Sequence, residues 1–242
     1  MLIVTLNHNL PELTDNLVNQ LKRDSKFGEC EMMVVDNGSS DGNVAQSTTH
    51  RLEDNIFFGG GFNVVLDYFL NQTKHDYLYF LNNDLIFHGP SFISTSLKET
   101  IESDAGVYSP SIINASIEQC HWKQMWHWGK GLRSVKWVDF QSPLLRRDIC
   151  ERIKQYPMEL IYGWGLDFYT GIVGEEMGVK HIVSDTHTIT HLNSQTFKQE
   201  KINIGVSEFC RLAEGNMNNY FLTSDKKQKY LEYRDYGKYY NT

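Results

Sequence analysis

Short apolar runs alternate with longer segments of helical spacing through the first 110 residues. "LIVTL" (2–6), "EMMVVD" (31–36), "YLYFL" (77–81) and "AGVYSP" (105–110) are nearly continuous in aliphatic and aromatic residues, the pattern of strands buried on both faces. Between them, residues 11–24 carry Leu13, Leu17 and Leu21 four apart behind Pro11, a residue suited to a helix's first turn. Residues 59–72 read as a glycine-rich entry into a helix, and 91–103 as another helix. Strands alternating with helices predict an α/β fold with helices around a mostly parallel sheet.

Past Pro110 the alternation loosens. Residues 114–136 are polar and Trp-rich, which predicts a loop or irregular strands. Residues 142–155 and 165–178 read as helices, 180–191 alternates like a strand, and the charged, Tyr-rich tail has room for two helices. The expected organisation is one domain over 1–195, with halves 1–110 and 111–195, and a C-terminal helical extension over 196–242.

Composition narrows the class. The 242 residues are 40% hydrophobic and 22% charged, enough to bury a sizeable core. A formal charge of −7 argues against nonspecific nucleic-acid binding as the main role. The 4 cysteines form no CxxC pair, which favours reduced thiols and a cytoplasmic setting. "MLIVTLNHN" lacks a basic leader and turns polar early, and no apolar run reaches the ~18–20 residues of a membrane span. No transmembrane segment is expected, and peripheral association with a membrane stays open.

Ligands of open α/β sheets sit outside the carboxyl ends of the strands. Three polar clusters fall at such ends: Thr5-Leu6-Asn7, Asp36-Asn37-Gly38 and Asn82-Asn83-Asp84. In the third, Asp84 suits a hard divalent cation that also holds diphosphate oxygens, and equally suits a turn bonded to its own backbone. Alternation along an extended segment would turn Asn82 and Asp84 one way and Asn83 the other. Asp36 is either an acceptor for a pyrimidine N3–H or a turn cap. The glycines at 59–61 permit close backbone approach to a nucleotide or diphosphate, while GxGxxG and P-loop patterns are absent. Asp167 in "YGWGLDFY" suits either a general base beside an aromatic platform or charge complementarity at a helix start. His187 and His191 lie four apart; His191, closing its segment, is the better partner for a metal at Asp84.

Together these residues resemble the family 2 glycosyltransferases with the GT-A fold, over most of residues 1–195. "VTLNHN" is similar to the family's opening strand and turn, and "VVDNGSSDG" to its nucleotide-binding signature. "NIFFGGGFN" resembles its Asn-and-glycine segment, "FLNNDLIF" its metal-binding DxD strand, "GWGLD" its acceptor-side acid and "TITHLN" its late His. The resemblance implies that Thr5, Asn7, Asp36, Asn37, Gly60, Asn63, Asn82 and Asn83 serve a nucleoside-diphosphate sugar. It implies Asp84 and His191 as ligands of Mn2+ or Mg2+, Asp167 as catalytic base, and Trp164 and Gly165 on the acceptor. Two departures stand out: Asn82 replaces the first acid of DxD, and Asp167 lacks the Glu that commonly precedes it.

The implied reaction is inverting transfer of a sugar, from a UDP- or dTDP-type donor, to an acceptor hydroxyl on a glycan or glycoconjugate. The rivals are a sugar- or nucleotide-binding module that has lost catalysis, and a sugar nucleotidyltransferase. The second is disfavoured by "NHNLPE", which has no Arg or Lys after the first strand.

Overall fold

The structure, a computed structural model, describes residues 1–89, 91–113, 120, 122–192, 232, 233, 235–237 and 240. The expected extension over 196–242 lies mostly outside these, although the described residues among 232–237 are helical.

Strands β1 (Leu2–Asn7), β2 (Glu31–Asn37), β3 (His50–Leu52) and β4 (Tyr77–Leu81) pair in parallel in the order β3-β2-β1-β4. Helices α1 (Pro11–Leu21) and α2 (Phe57–Gln72) connect them. The buried aliphatic runs of β1, β2 and β4 explain the pairing, because a strand covered on both faces has no polar side to offer water.

The second half of the sheet is mixed, where the sequence pattern suggests a mostly parallel one. Its strands are β5 (Leu85–His88), β6 (Ala105–Ile112), β7 (Leu132–Val135), β8 (Leu144–Arg146) and β9 (Lys180–His191). The path runs on as β4-β8-β6-β9-β5, with β7 also on β9. Strand β8 is antiparallel to β4 and β6, β6 and β9 are parallel, and β5 and β7 are antiparallel to β9. Helices α3 (Phe92–Ser103), α4 (Arg147–Ile153) and α5 (Leu166–Met177) complete the layers.

Two boundaries depart from the helical periodicity. The helix expected over 11–24 stops at Leu21, since buried Asp24 turns to accept the amide of Ile93 (2.7 Å) at the start of α3. The helix expected over 142–155 begins only at Arg147, because Leu144 and Leu145 are drawn into β8 between β4 and β6. A short apolar pair fits either period, and the gap in the sheet decides between them.

Candidate active site at the carboxyl edge of the sheet

Because β1, β2, β4 and β6 run in parallel, their carboxyl ends share one edge. Asn7 and Asp36 face each other there in register. The Asn7 amide donates to Asp36 Oδ1 (2.8 Å), Ser39 Oγ (3.2 Å) and the Asn43 carbonyl (3.0 Å), while its oxygen accepts from the amide of Leu10 and the Thr14 hydroxyl (both 3.1 Å). Asp36 Oδ2 accepts the amide of Ser39 (3.2 Å) and lies 3.5 Å from Arg51 Nε. Asp36 is 0% exposed, covered by this turn, so a base reaches it directly only if the turn over 38–43 shifts. Asn37 clamps the start of α2, accepting from Ile56 N (3.1 Å) and donating to the Phe57 carbonyl (3.0 Å). The hydroxyl of Thr5, buried inside β1, has no partner.

The glycine run sits within the first turn of α2, where packing accounts for it. A Cβ on Gly59 would lie 2.2 Å from the Leu160 carbonyl, and one on Gly61 2.7 Å from the Leu6 side chain. Gly60 abuts the Ile56 side chain. Asn63 is spent on both main-chain groups of Tyr156, donating to its carbonyl (3.0 Å) and accepting its amide (2.8 Å). Nothing in these contacts turns the segment toward a phosphate.

The third cluster is a turn over 82–84 that carries the chain from β4 to β5. The antiparallel register of β5 on β9 sets Leu85 opposite His191, and Asp84 therefore meets that histidine. Asp84 Oδ1 stands 3.2 Å from His191 Nε2, and the Asp84 carbonyl accepts Leu192 N (2.9 Å). Asn83 turns toward α1 and donates to Thr14 (3.0 Å). The carboxamide oxygen of Asn82 is buried without a partner. His187 takes another path, bonding Ser96 Oγ (2.9 Å) under α3.

Asp84 and His191 fit a divalent cation of the Mn2+ type. A carboxylate and an imidazole 3.2 Å apart can share a metal, and such ions complete their coordination with substrate phosphates. Among the described residues no three His, Cys, Asp or Glu side chains converge as a fuller ligand set.

Asp167 lies in the first turn of α5, behind Gly165 in a left-handed conformation (φ 93°) that closes the helix start. Since α5 ends at Met177 and β9 begins at Lys180, the helix runs back against β9, with its start toward the carboxyl edge. Asp167 is 7% exposed and accepts the Phe168 amide (2.9 Å). Burial first, and the nearby charge of Asp139 second, hold its carboxyl well above the ordinary range. Trp164, half-buried, and Gly165 immediately precede it.

Pattern reasoning missed Gln141 and Arg51 here and held Asp139 only as a substitute base, beside Glu175, should Asp167 fail. Asp139 and Gln141, in the stretch after β7, supply the second acid and a carboxamide: Gln141 Nε2 donates to Asp139 Oδ2 (2.8 Å), and the Gln141 carbonyl accepts Asn82 N (2.9 Å). Arg51, on three-residue β3, is the cation beside Asp36. No local signal marks any of them, for each is brought in by strand pairing from a distance.

Among solved structures, the mannosyltransferase PcManGT from Pyrobaculum calidifontis, in complex with GDP-Man and Mn2+, is similar over 97% of this chain and 68% of its own, with 11% identity and a TM-score of 0.63. TarS (1–349) of S. aureus, in complex with UDP-GlcNAc, is similar over 96% of this chain and 71% of its own, with 14% identity and a TM-score of 0.65. A197 from STIV covers 80% of this chain and 85% of its own, with 11% identity and a TM-score of 0.51. At these identities the likeness speaks for the fold, which is GT-A. No curated protein matches the sequence. Among the described residues no helix is long and apolar enough to cross a membrane. The family description "Glycosyl transferase family 2" matches residues 2–159, and with it the chain belongs to glycosyl transferase family 2.

Proposed function

We propose that the protein is an inverting, metal-dependent glycosyltransferase that moves a sugar from a nucleoside-diphosphate sugar to a hydroxyl of a glycan or glycoconjugate. The observation that carries this reading is the pairing of Asp84 with His191 at 3.2 Å, on the sheet edge toward which α5 presents buried Asp167. One site can hold a metal-bound leaving group and the other a base, and transfer with inversion needs both, on opposite faces of the anomeric carbon.

Asp84 and His191 would hold the cation, which would supply positive charge against the departing diphosphate. Asn7, Asp36 and Asn37 shape the nucleoside side, with Arg51 the nearest cation to it. Trp164 and Gly165 border the acceptor. Asp167 takes the proton from the attacking hydroxyl. Its raised pKa makes it a stronger base than an ordinary carboxylate, at the cost of a larger protonated fraction near neutral pH. The donor is of the UDP or dTDP type, with the polar turn around Asp36 as the base-reading element. The catalytic domain in this reading spans 1–195.

A direct test measures release of free UDP or GDP from UDP-glucose, UDP-GlcNAc and GDP-mannose with Mn2+ and a panel of glycosides. Acceptor-dependent release of nucleoside diphosphate is expected, lost on chelation. Binding of these donors without turnover on any acceptor, in parent and Asp167→Asn alike, would favour a binding module.

A further inference from the structure

We infer that Gln141 reads a hydroxyl of the transferred sugar, its carboxamide oxygen and that of Asn82 serving as the acceptors. The inference rests on the donor-sugar reading above and names a residue which that reading leaves out. Gln141 is buried, and its amide nitrogen donates to Asp139 Oδ2 at 2.8 Å. A carboxylate only accepts, so the nitrogen must face Asp139 and the oxygen must face away. That oxygen is buried and has no hydrogen-bond partner. The same holds for the carboxamide oxygen of Asn82, whose main-chain amide donates to the Gln141 carbonyl at 2.9 Å. Two orphan acceptors thus belong to residues tied together by one main-chain bond.

Buried carbonyl oxygens almost always find a donor, and leaving one without costs stability. Their place in the chain says which donor is missing. Asn82 is two residues from Asp84, on the side of the metal pair. Gln141 is anchored to Asp139, the acid whose charge is felt by Asp167. A sugar passing from a diphosphate at Asp84 and His191 to a nucleophile at Asp167 must lie between these two anchors. Both oxygens can only accept, so the group between them must donate. A sugar hydroxyl does so, whereas a phosphate or sugar carboxylate presents only acceptors and would be repelled. The chemistry selects a sugar that presents a hydroxyl to these oxygens.

The test uses calorimetric titration, with Mn2+, of UDP, UDP-glucose, UDP-GlcNAc, GDP and GDP-mannose into the parent and Gln141→Met. Methionine keeps the length and removes the acceptor. The variant should bind UDP and GDP as the parent does, while the gain in affinity from the attached sugar shrinks by ~3–10-fold, the scale of one neutral hydrogen bond. In a series of singly deoxygenated donors, one position should cost the parent that same factor and cost Gln141→Met nothing. If Gln141→Met fails to fold, Gln141→Asn withdraws the oxygen by one methylene and should give the same pattern. An unchanged sugar contribution, a parallel loss of UDP and GDP affinity, or a deoxy series with no sensitive position in the parent would each overturn the assignment and leave the transferase reading standing. Failure of the parent to bind any of the five nucleotides would bring down that reading, and this one with it.

Discussion

On the parallel side of the sheet, Asn7 and Asp36 meet at 2.8 Å, and every polar atom of Asn7 is shared among Asp36, Ser39, Asn43, Leu10 and Thr14. On the side built by β8 and α5, Asp167 lies buried beside a second carboxylate, and the oxygens of Asn82 and Gln141 have no partner. Around Asn7 the first region is satisfied within itself, with the buried Thr5 hydroxyl as its one orphan among these clusters. The second carries an electrostatic cost that its own backbone amides relieve only in part. Strain of this kind collects where chemistry is done, because a substrate can relieve it. The contrast separates a cluster bonded mainly to itself from one that leaves buried acceptors open.

The largest test of the contrast is Asp167→Asn. Turnover should fall by ~10²-fold or more, while donor affinity stays near that of the parent, since the proposed base acts on the acceptor side. Removing an ionisable group from a buried site should also leave denaturant stability equal or higher. Single-turnover rates, donor titration and urea unfolding on one preparation check all three, and normal turnover would move the base elsewhere, with Asp139 as the first candidate.

Asp84→Ala should come next. It removes one of the two proposed metal ligands, so the thermal stabilisation by a nucleoside-diphosphate sugar should lose its dependence on Mn2+, with donor affinity down by ~10-fold or more. Thermal shifts with Mn2+ and with a chelator read this out. Equal metal dependence in parent and variant would reduce the 82–84 turn to a connection.

On the satisfied side the effect should be one of stability. Asn7→Ala strands the Leu10 amide and leaves Asp36 without its closest donor, while the Thr14 hydroxyl keeps the Leu10 carbonyl, at a cost of about 1–3 kcal/mol. Urea unfolding of Asn7→Ala beside Gln141→Met sharpens the comparison: Asn7→Ala should lose clearly more. Comparable losses would mean that the second region is as self-supporting as the first.

The smallest effect is in pH. Burial holds His181 and His187 neutral, each with a pKa lowered from 6.5 to about 4. Between those values the unfolded chain binds protons that the folded chain refuses, so stability is full above pH 6.5 and is lost as the pH falls toward 4. Each histidine should contribute about 1 kcal/mol of loss between pH 6.5 and 5.5. Asp167 pulls the other way, since its raised pKa favours the fold when protonated. Comparing His181→Leu with the parent therefore isolates the term: the variant's midpoint should change less over this interval, and identical slopes would mean that His181 is charged in the fold.

Apolar runs and helical spacing by themselves determined β1, β2, β4 and β6 and the helices α1, α2, α3 and α5 to within a few residues. They did so because burial on both faces and the 3.6-residue period are written in consecutive positions. The three polar clusters at strand ends were legible for the same reason, each being contiguous in the chain. The glycine run was legible as a place of close approach, but not what approaches: it is the Leu160 main chain. Only the tertiary structure decided the mixed half of the sheet, where β8 fills a gap between strands that no local pattern foretells. The preference for His191 over His187 beside Asp84 was already legible from its place at the end of the segment, but its cause, the β5–β9 register, is tertiary. The tertiary structure set Asp139 beside Asp167 across 28 residues of chain. It also left the Gln141 oxygen without a donor, since satisfaction of a polar atom depends on neighbours that only folding brings together.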